Sequence, residues 1–100
     1  METKAILIKE QDTVATALVL IEAGQEVAIR AGDGQILIRV KEQIPFGHKF
    51  AIRDISKSED IIKYGEIIGR ATEDIQAGRH AHIQNIESLR GRGDWNREDR

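Results

Sequence analysis

Two histidines, His80 and His82, stand two apart in the segment Ala77-Gly78-Arg79-His80-Ala81-His82-Ile83-Gln84-Asn85. If that segment is a strand, its side chains alternate, so both imidazoles leave one face while Ala81 and Ile83 turn to the core. Two imidazoles on one face can chelate a single ion, a spacing that suits the first half of a zinc, iron or manganese site. Gln84 continues the polar face and offers a carbonyl oxygen. The same pattern also occurs on solvated strand faces with no chemical role, and spacing alone leaves both readings open. The third histidine, His48, follows Gly47 where the chain leaves a Pro45-Phe46-Gly47 turn, with Lys49 on the alternate face. It is either an exposed turn residue or a member of the same site. Lys63 and Tyr64 precede Gly65 at another expected turn, where a basic head can meet an acid or simply lay its stem on apolar surface.

Other chemistries are excluded by what is missing. The chain has no cysteine, so disulfides, thiolate metal sites and a cysteine nucleophile are ruled out. Gly32-Asp33-Gly34 is too short for a phosphate loop and opens onto no clear helix. A net charge of −2 offers no bulk attraction for nucleic acid. The apolar run after Met1-Glu2-Thr3-Lys4 is far shorter than a signal sequence or the roughly 20 residues needed to span a bilayer, so a cytoplasmic protein without membrane contact is expected.

The 100 residues suffice for one core but not for a core plus a separate catalytic lobe. Only four aromatics occur, Phe46, Phe50, Tyr64 and Trp95, so Ile, Val, Leu and Ala must build that core. The abundance of isoleucine favours strands. Ala5 to Ile8 reads as a first strand and Thr13 to Ile21 as a second. Val27–Arg30 and Ile36–Val40 read as a hairpin in which Asp33-Gly34 supplies the positive φ angles of the turn. An ungapped repeat lays Ala17, Ala51 and Ala71 over one another, then Ile21, Ile55 and Ile75, then Gly24, Ser58 and Gly78. Each copy reads as strand, apolar anchor, turn and strand. Asp54 and Asp74, each preceding a matched isoleucine, are expected to cap the turn that follows. These elements predict an all-β domain over 1–87 with at most short helical turns, followed by a polar tail over 88–100 in which Trp95 can anchor in a partner.

The blocks Ile44-Pro45-Phe46-Gly47-His48-Lys49-Phe50, Asp54-Ile55, Lys63-Tyr64-Gly65-Glu66-Ile67-Ile68-Gly69 and the final histidine segment, in this order, carry a resemblance. Together they resemble the N-terminal module of the altronate and galactarate dehydratase family, which includes two-subunit sulfolactate sulfo-lyases. The resemblance covers Ala17 to Ser88 and implies a SAF-like β-clip fold. It implies the small subunit of a metal-dependent lyase that eliminates water, or sulfite from sulfolactate, from a sugar-acid or hydroxy-acid substrate. A large catalytic subunit would complete the active site and share or hold a divalent metal, iron(II) or manganese. On this reading His82 and His48 are catalytic, Lys49, Lys63 and Asn85 bind substrate, and His80, His82 and Gln84 bind metal. The family's last strand commonly reads His-x-His-Asn over positions 82–85, whereas this chain has Gln84. Glutamine can coordinate through its carbonyl oxygen but cannot transfer a proton at neutral pH. The rival expectations are a noncatalytic sugar-acid or carbohydrate binding module and a structural module that forms a homo-oligomer.

Overall fold

The computed structural model describes residues 2–88, and the expected tail beyond Ser88, with Trp95, lies outside them. Among the described residues the chain forms strands and turns only: β1 (Thr3–Leu7), β2 (Val14–Ala17), β3 (Glu26–Ala31), β4 (Gly34–Arg39), β5 (Lys49–Ala51), β6 (Asp60–Lys63), β7 (Glu66–Ala71), β8 (His80–Ala81) and β9 (Ile86–Ser88). The architecture is therefore all-β, in accord with the isoleucine-rich composition. Six strands form one sheet in the order β4-β3-β1-β2-β5-β8, and three form a second in the order β6-β7-β9. No helix among the described residues is long and apolar enough to cross a membrane.

The sheets are tied together by a backbone motif that occurs four times. The fourth copy, Val40 to Phe50 around Gly47, joins the three copies read from the sequence. The residues at the third turn position, Gly24, Gly47, Ser58 and Gly78, all have positive φ, at 86°, 82°, 76° and 89°. Such angles cost an L side chain free energy, which explains glycine in three of the four copies. The copies clasp in pairs. Ile21 and Ile44 exchange both backbone hydrogen bonds at 2.9 and 2.8 Å, while the Gly24 N–H donates to Val40 and the Gly47 N–H to Ala17. Ile55 and Ile75 exchange theirs at 2.8 Å each, while Ser58 N–H donates to Ala71 and Gly78 N–H to Ala51. All four anchoring isoleucines are buried. The aspartates cap as expected in kind but not in place. Asp54 accepts from the Ala77 N–H and Asp74 from the Lys57 N–H, at 2.9 and 2.8 Å. Each thus caps the other copy's turn, because the clasp brings it there.

Three further expectations are corrected by the structure. The second strand ends at Ala17 rather than Ile21, since the Ala17 carbonyl is taken by Gly47 and the chain bends toward the clasp, leaving Leu18, Val19 and Leu20 exposed. In the β3–β4 hairpin Ala31 pairs with Gly34, so the two-residue loop is Gly32-Asp33 and Gly32 carries the positive φ, at 60°. Ile83 lies outside any strand and is 84% exposed instead of facing the core.

Two apolar clusters fill the interior. One gathers Ala5, Ala15, Ala17, Ile21, Val27, Ile29, Val40, Ile44 and Phe50; the other gathers Val14, Ala51, Ile55, Ile61, Ala71, Ile75 and Ala81. The alternation of a strand explains the division: β2 sends Val14 and Ala15 to opposite clusters, and β5 does the same with Phe50 and Ala51. The β2–β5 pair is thus a wall shared by both cores. The site described next stands at one end of β5.

Candidate functional site

The strands β5 and β8 pair antiparallel, with Lys49 opposite Ala81 and Phe50 opposite His80. Carried one residue further, that register sets His48 opposite His82 and diagonal to His80. The three rings stack. The His48 and His82 centroids are 4.1 Å apart at 19°, and His80 lies 5.1 Å from His48 and 5.3 Å from His82. His48 Nδ1 is 2.9 Å from His80 Nε2. One ligand atom from each ring falls within 4.8 Å of the others, so the trio can hold a metal ion.

Neighbouring groups hold the backbone of His80 and His82 and one face of the site. The Glu42 carboxylate accepts the His80 backbone N–H at 2.9 Å. The Gln84 amide nitrogen sits 3.2 Å from His80 Nδ1. The other ring nitrogen, Nε2, is the one turned toward His48. The chain folds back after His82 because its carbonyl accepts from both Asn85 and Ile86, at 3.1 and 2.9 Å. Asn85 ties the turn from inside: its Oδ1 accepts the His82 N–H at 2.9 Å and its Nδ2 donates to the His80 carbonyl at 2.8 Å. Asn85 is 6% exposed, and both ends of its amide are spent on backbone. Its amide thus positions the backbone that carries His80 and His82.

The electrostatics disfavour a charge on His80 and on His82. Burial first, and then the neighbouring His48 and His82 charges, hold His80 below the ordinary imidazole pKa of 6.5, against a smaller opposing pull from Glu42. His82 is lowered by burial and then by His48 and Lys49. Neutral imidazole is the form that binds metal. One buried polar atom lacks a hydrogen-bond partner among the described residues, and it is His82 Nδ1. An orphaned imidazole nitrogen within a three-imidazole set fits a metal ion, which would satisfy it.

A cleft of about 440 Å³ adjoins the trio on the side of His82. Its lining includes Lys49, Lys63, Tyr64, Glu66 and the isoleucines 68, 83 and 86. Lys63 and Glu66 pair across the two-residue β6–β7 turn, where Tyr64 and Gly65 have φ of 60° and 75°. The buried Asp12 stabilises that turn by accepting from Tyr64 N–H at 3.0 Å and Gly65 N–H at 2.8 Å, and it also accepts from Lys9 N–H. Lys63 Nζ lies 4.9 Å from the Tyr64 ring centre, a cation–π contact. Burial, and then the Lys63 charge, lower the pKa of Lys49.

Of the site residues expected from sequence, His48, His80 and His82 come together, Gln84 lies against the outer side of His80, and Lys49 and Lys63 share the cleft. Sequence reading overlooked Glu42, Asp12 and Glu66. Scattered acidic residues carry no local pattern, and only the tertiary pairing gives these three a role.

With this geometry in view, the comparisons are decisive for ancestry. The profile of the family described as "Altronate/galactarate dehydratase SAF domain" matches residues 3–89. The chain belongs to this family. Its relatives include the (2R)-sulfolactate sulfo-lyase subunit alpha of Chromohalobacter salexigens, 40% identical over 72 residues, which are 70% of this chain and 77% of that protein. The altronate dehydratase of Escherichia coli is 42% identical over 83 residues, 83% of this chain but 16% of that enzyme. Galactarate dehydratase (L-threo-forming) of E. coli is 42% identical over 74 residues, 74% of this chain and 14% of that enzyme. The SAF domain of this family therefore occurs both as a chain of similar size and as a small part of far longer ones.

Proposed function

We propose that this chain is the small subunit, or the equivalent module, of a hydroxy-acid or sugar-acid lyase, and that it holds a divalent metal at His48, His80 and His82. The observation that carries the proposal is the convergence of three imidazoles, one of which, His82, has a buried Nδ1 without a hydrogen-bond partner. One relative is named a subunit and others carry the matching region within much longer dehydratases, which supports a larger partner that completes the active site. Three nitrogen ligands favour later first-row ions, so iron(II) is preferred over manganese(II). A metal held by these residues would supply Lewis acidity to negative charge that develops on the substrate.

The reaction class is β-elimination. The hydrogen on the carbon beside the carboxylate leaves as a proton to a base, its bonding pair forms the new double bond, and the bond to the neighbouring oxygen or sulfur breaks. The departing group takes the electron pair and leaves as water after protonation, or as sulfite. No oxidant or reductant is consumed. Imidazoles that hold a metal through a ring nitrogen cannot also take a proton there, so the base belongs to the partner. This chain's residues orient the trio: Asn85 and Glu42 fix the backbone of β8, and Gln84 sets the His80 ring.

The test is turnover by the chain reconstituted with a large subunit of the family, using altronate, galactarate and (2R)-sulfolactate. Activity with one of these acids that is lost in His48→Ala and His80→Ala supports the proposal. Undiminished turnover in both variants contradicts it and favours the rival, a noncatalytic sugar-acid binding module, for which the cleft within this one chain speaks.

A further inference from the structure

The cleft beside His82 contains two ammonium groups that form no ion pair among the described residues. The two ion pairs formed among the described residues are Arg53 with Glu59 and Arg70 with Asp60, and neither involves Lys49 or Lys63. The lysines come from different places, Lys49 from the start of β5 and Lys63 from the end of β6, and only the fold brings them to one wall. Lys63 is steadied by the Tyr64 ring, and the turn that carries it is fixed by the buried Asp12 carboxylate. Two like charges on rigid supports in a concave site make a preorganised anion receptor. Glu66, on the same lining, is an acceptor with no use for an anionic head, but it suits a hydroxyl hydrogen.

We infer that this cleft is a hydroxy-acid receptor complete within the chain, in which Lys49 and Lys63 hold the carboxylate or sulfonate head and Glu66 accepts from a hydroxyl. The inference deepens the lyase reading by assigning substrate recognition to this module. It does not depend on the metal or on the partner. The receptor sets specificity for a charged head with hydroxyls nearby, and the isoleucines 68, 83 and 86 line the same cleft with apolar surface.

Three six-carbon probes separate the parts of the claim: galactarate, adipate, which lacks its hydroxyls, and galactitol, which lacks its acids. Backbone amide NMR shifts of the isolated full chain, metal-free and at constant ionic strength, report binding residue by residue. Galactarate is expected to shift the amides around Lys49, Lys63 and His82 saturably, adipate to bind a few-fold more weakly, and galactitol to give no shift at equal concentration. Lys49→Gln and Lys63→Gln should each weaken galactarate about tenfold, with Lys63→Arg retaining most of the affinity as a folded control. Glu66→Leu, which removes the acceptor, should erase the advantage of galactarate over adipate. Equal binding of galactitol, or unchanged affinity in the lysine variants, would overturn the receptor. Equal binding of galactarate and adipate to the native chain would overturn the role of Glu66. A chain that fails here but supports turnover in the reconstituted enzyme leaves the lyase reading standing and removes only this receptor.

Discussion

The two clasped turn pairs share one backbone plan, and within each pair one turn serves the fold while the other serves the site. In the turn at Gly24, Gln25 reaches back so that its Oε1 accepts the Glu22 N–H at 2.7 Å. In the turn at Ser58, Glu59 does the same for the Ser56 N–H at 2.8 Å. The equivalent residues of the partner turns are His48 and Arg79. At the first of these the cap has no donor to satisfy, because the residue in the place of Glu22 and Ser56 is Pro45, which has no N–H. Position 48 is thereby released from local duty, and an imidazole can point to the site at no cost to the turn. At the second, Arg79 cannot accept, so this local cap is missing, while Asp54 accepts the Ala77 N–H there just as Asp74 accepts the Lys57 N–H in the Ser58 turn. The repeat supplies a scaffold, and the histidines enter at or just after the two turns that lack the local cap.

This contrast is most severely strained at the glycines. A Cβ at Gly24 meets nothing within 4 Å, whereas one at Gly78 would collide with the carbonyl oxygen of Arg39. Thermal unfolding should show Gly24→Ala costing about 1 kcal/mol for its positive φ, and Gly78→Ala about 3 kcal/mol or more through backbone overpacking. Equal effects would show that the two turns are packed alike. Next in size is Asn85→Ala, which leaves a buried N–H and carbonyl without partners and should cost about 2 kcal/mol by denaturant unfolding. It should also weaken metal binding by loosening the turn that carries His82.

Acid sharpens the difference between the two kinds of turn. His80 and His82 both lie below the ordinary value of 6.5 in the folded state, so the unfolded chain takes up protons first as pH falls. The metal-free protein should therefore lose stability as pH drops below 6.5, until the lowered folded-state values are reached, with no contribution from this pair well above 6.5. Denaturant midpoints measured across that range check it, and the slope should shrink in His80→Ala. Smallest are the caps: Gln25→Ala should cost about 0.5 kcal/mol, and Arg79→Gln, which installs an acceptor at the uncapped turn, should gain up to about 0.5 kcal/mol.

Much of this was legible in the residues themselves. Isoleucine content and turn spacing indicated an all-β chain, and the matched Ala, Ile and turn positions identified three of the four repeat copies. The fourth was hidden because Val40 replaces the alanine and Pro45-Phe46 replaces the polar turn residues. The cross-capping by Asp54 and Asp74 was invisible because a cap supplied by another copy leaves the same sequence trace as a local one. The pairing of His80 with His82 followed from strand alternation, but His48 joins them only through the β5–β8 register, a long-range fact that no local pattern encodes. For the same reason Ile83 read as core: alternation says which face a residue takes, but not where the strand ends.

The most direct test of the account is iron(II) titration of the metal-free chain under anaerobic conditions, followed by calorimetry and metal analysis of the native protein, the three single His→Ala variants and Gln84→Ala. The account predicts one ion per chain, lost on removing any of His48, His80 or His82, and only about 10- to 100-fold weaker in Gln84→Ala, as befits a residue that orients a ligand. A native chain that binds no ion, or a His48→Ala variant that binds as tightly as native protein, would contradict it.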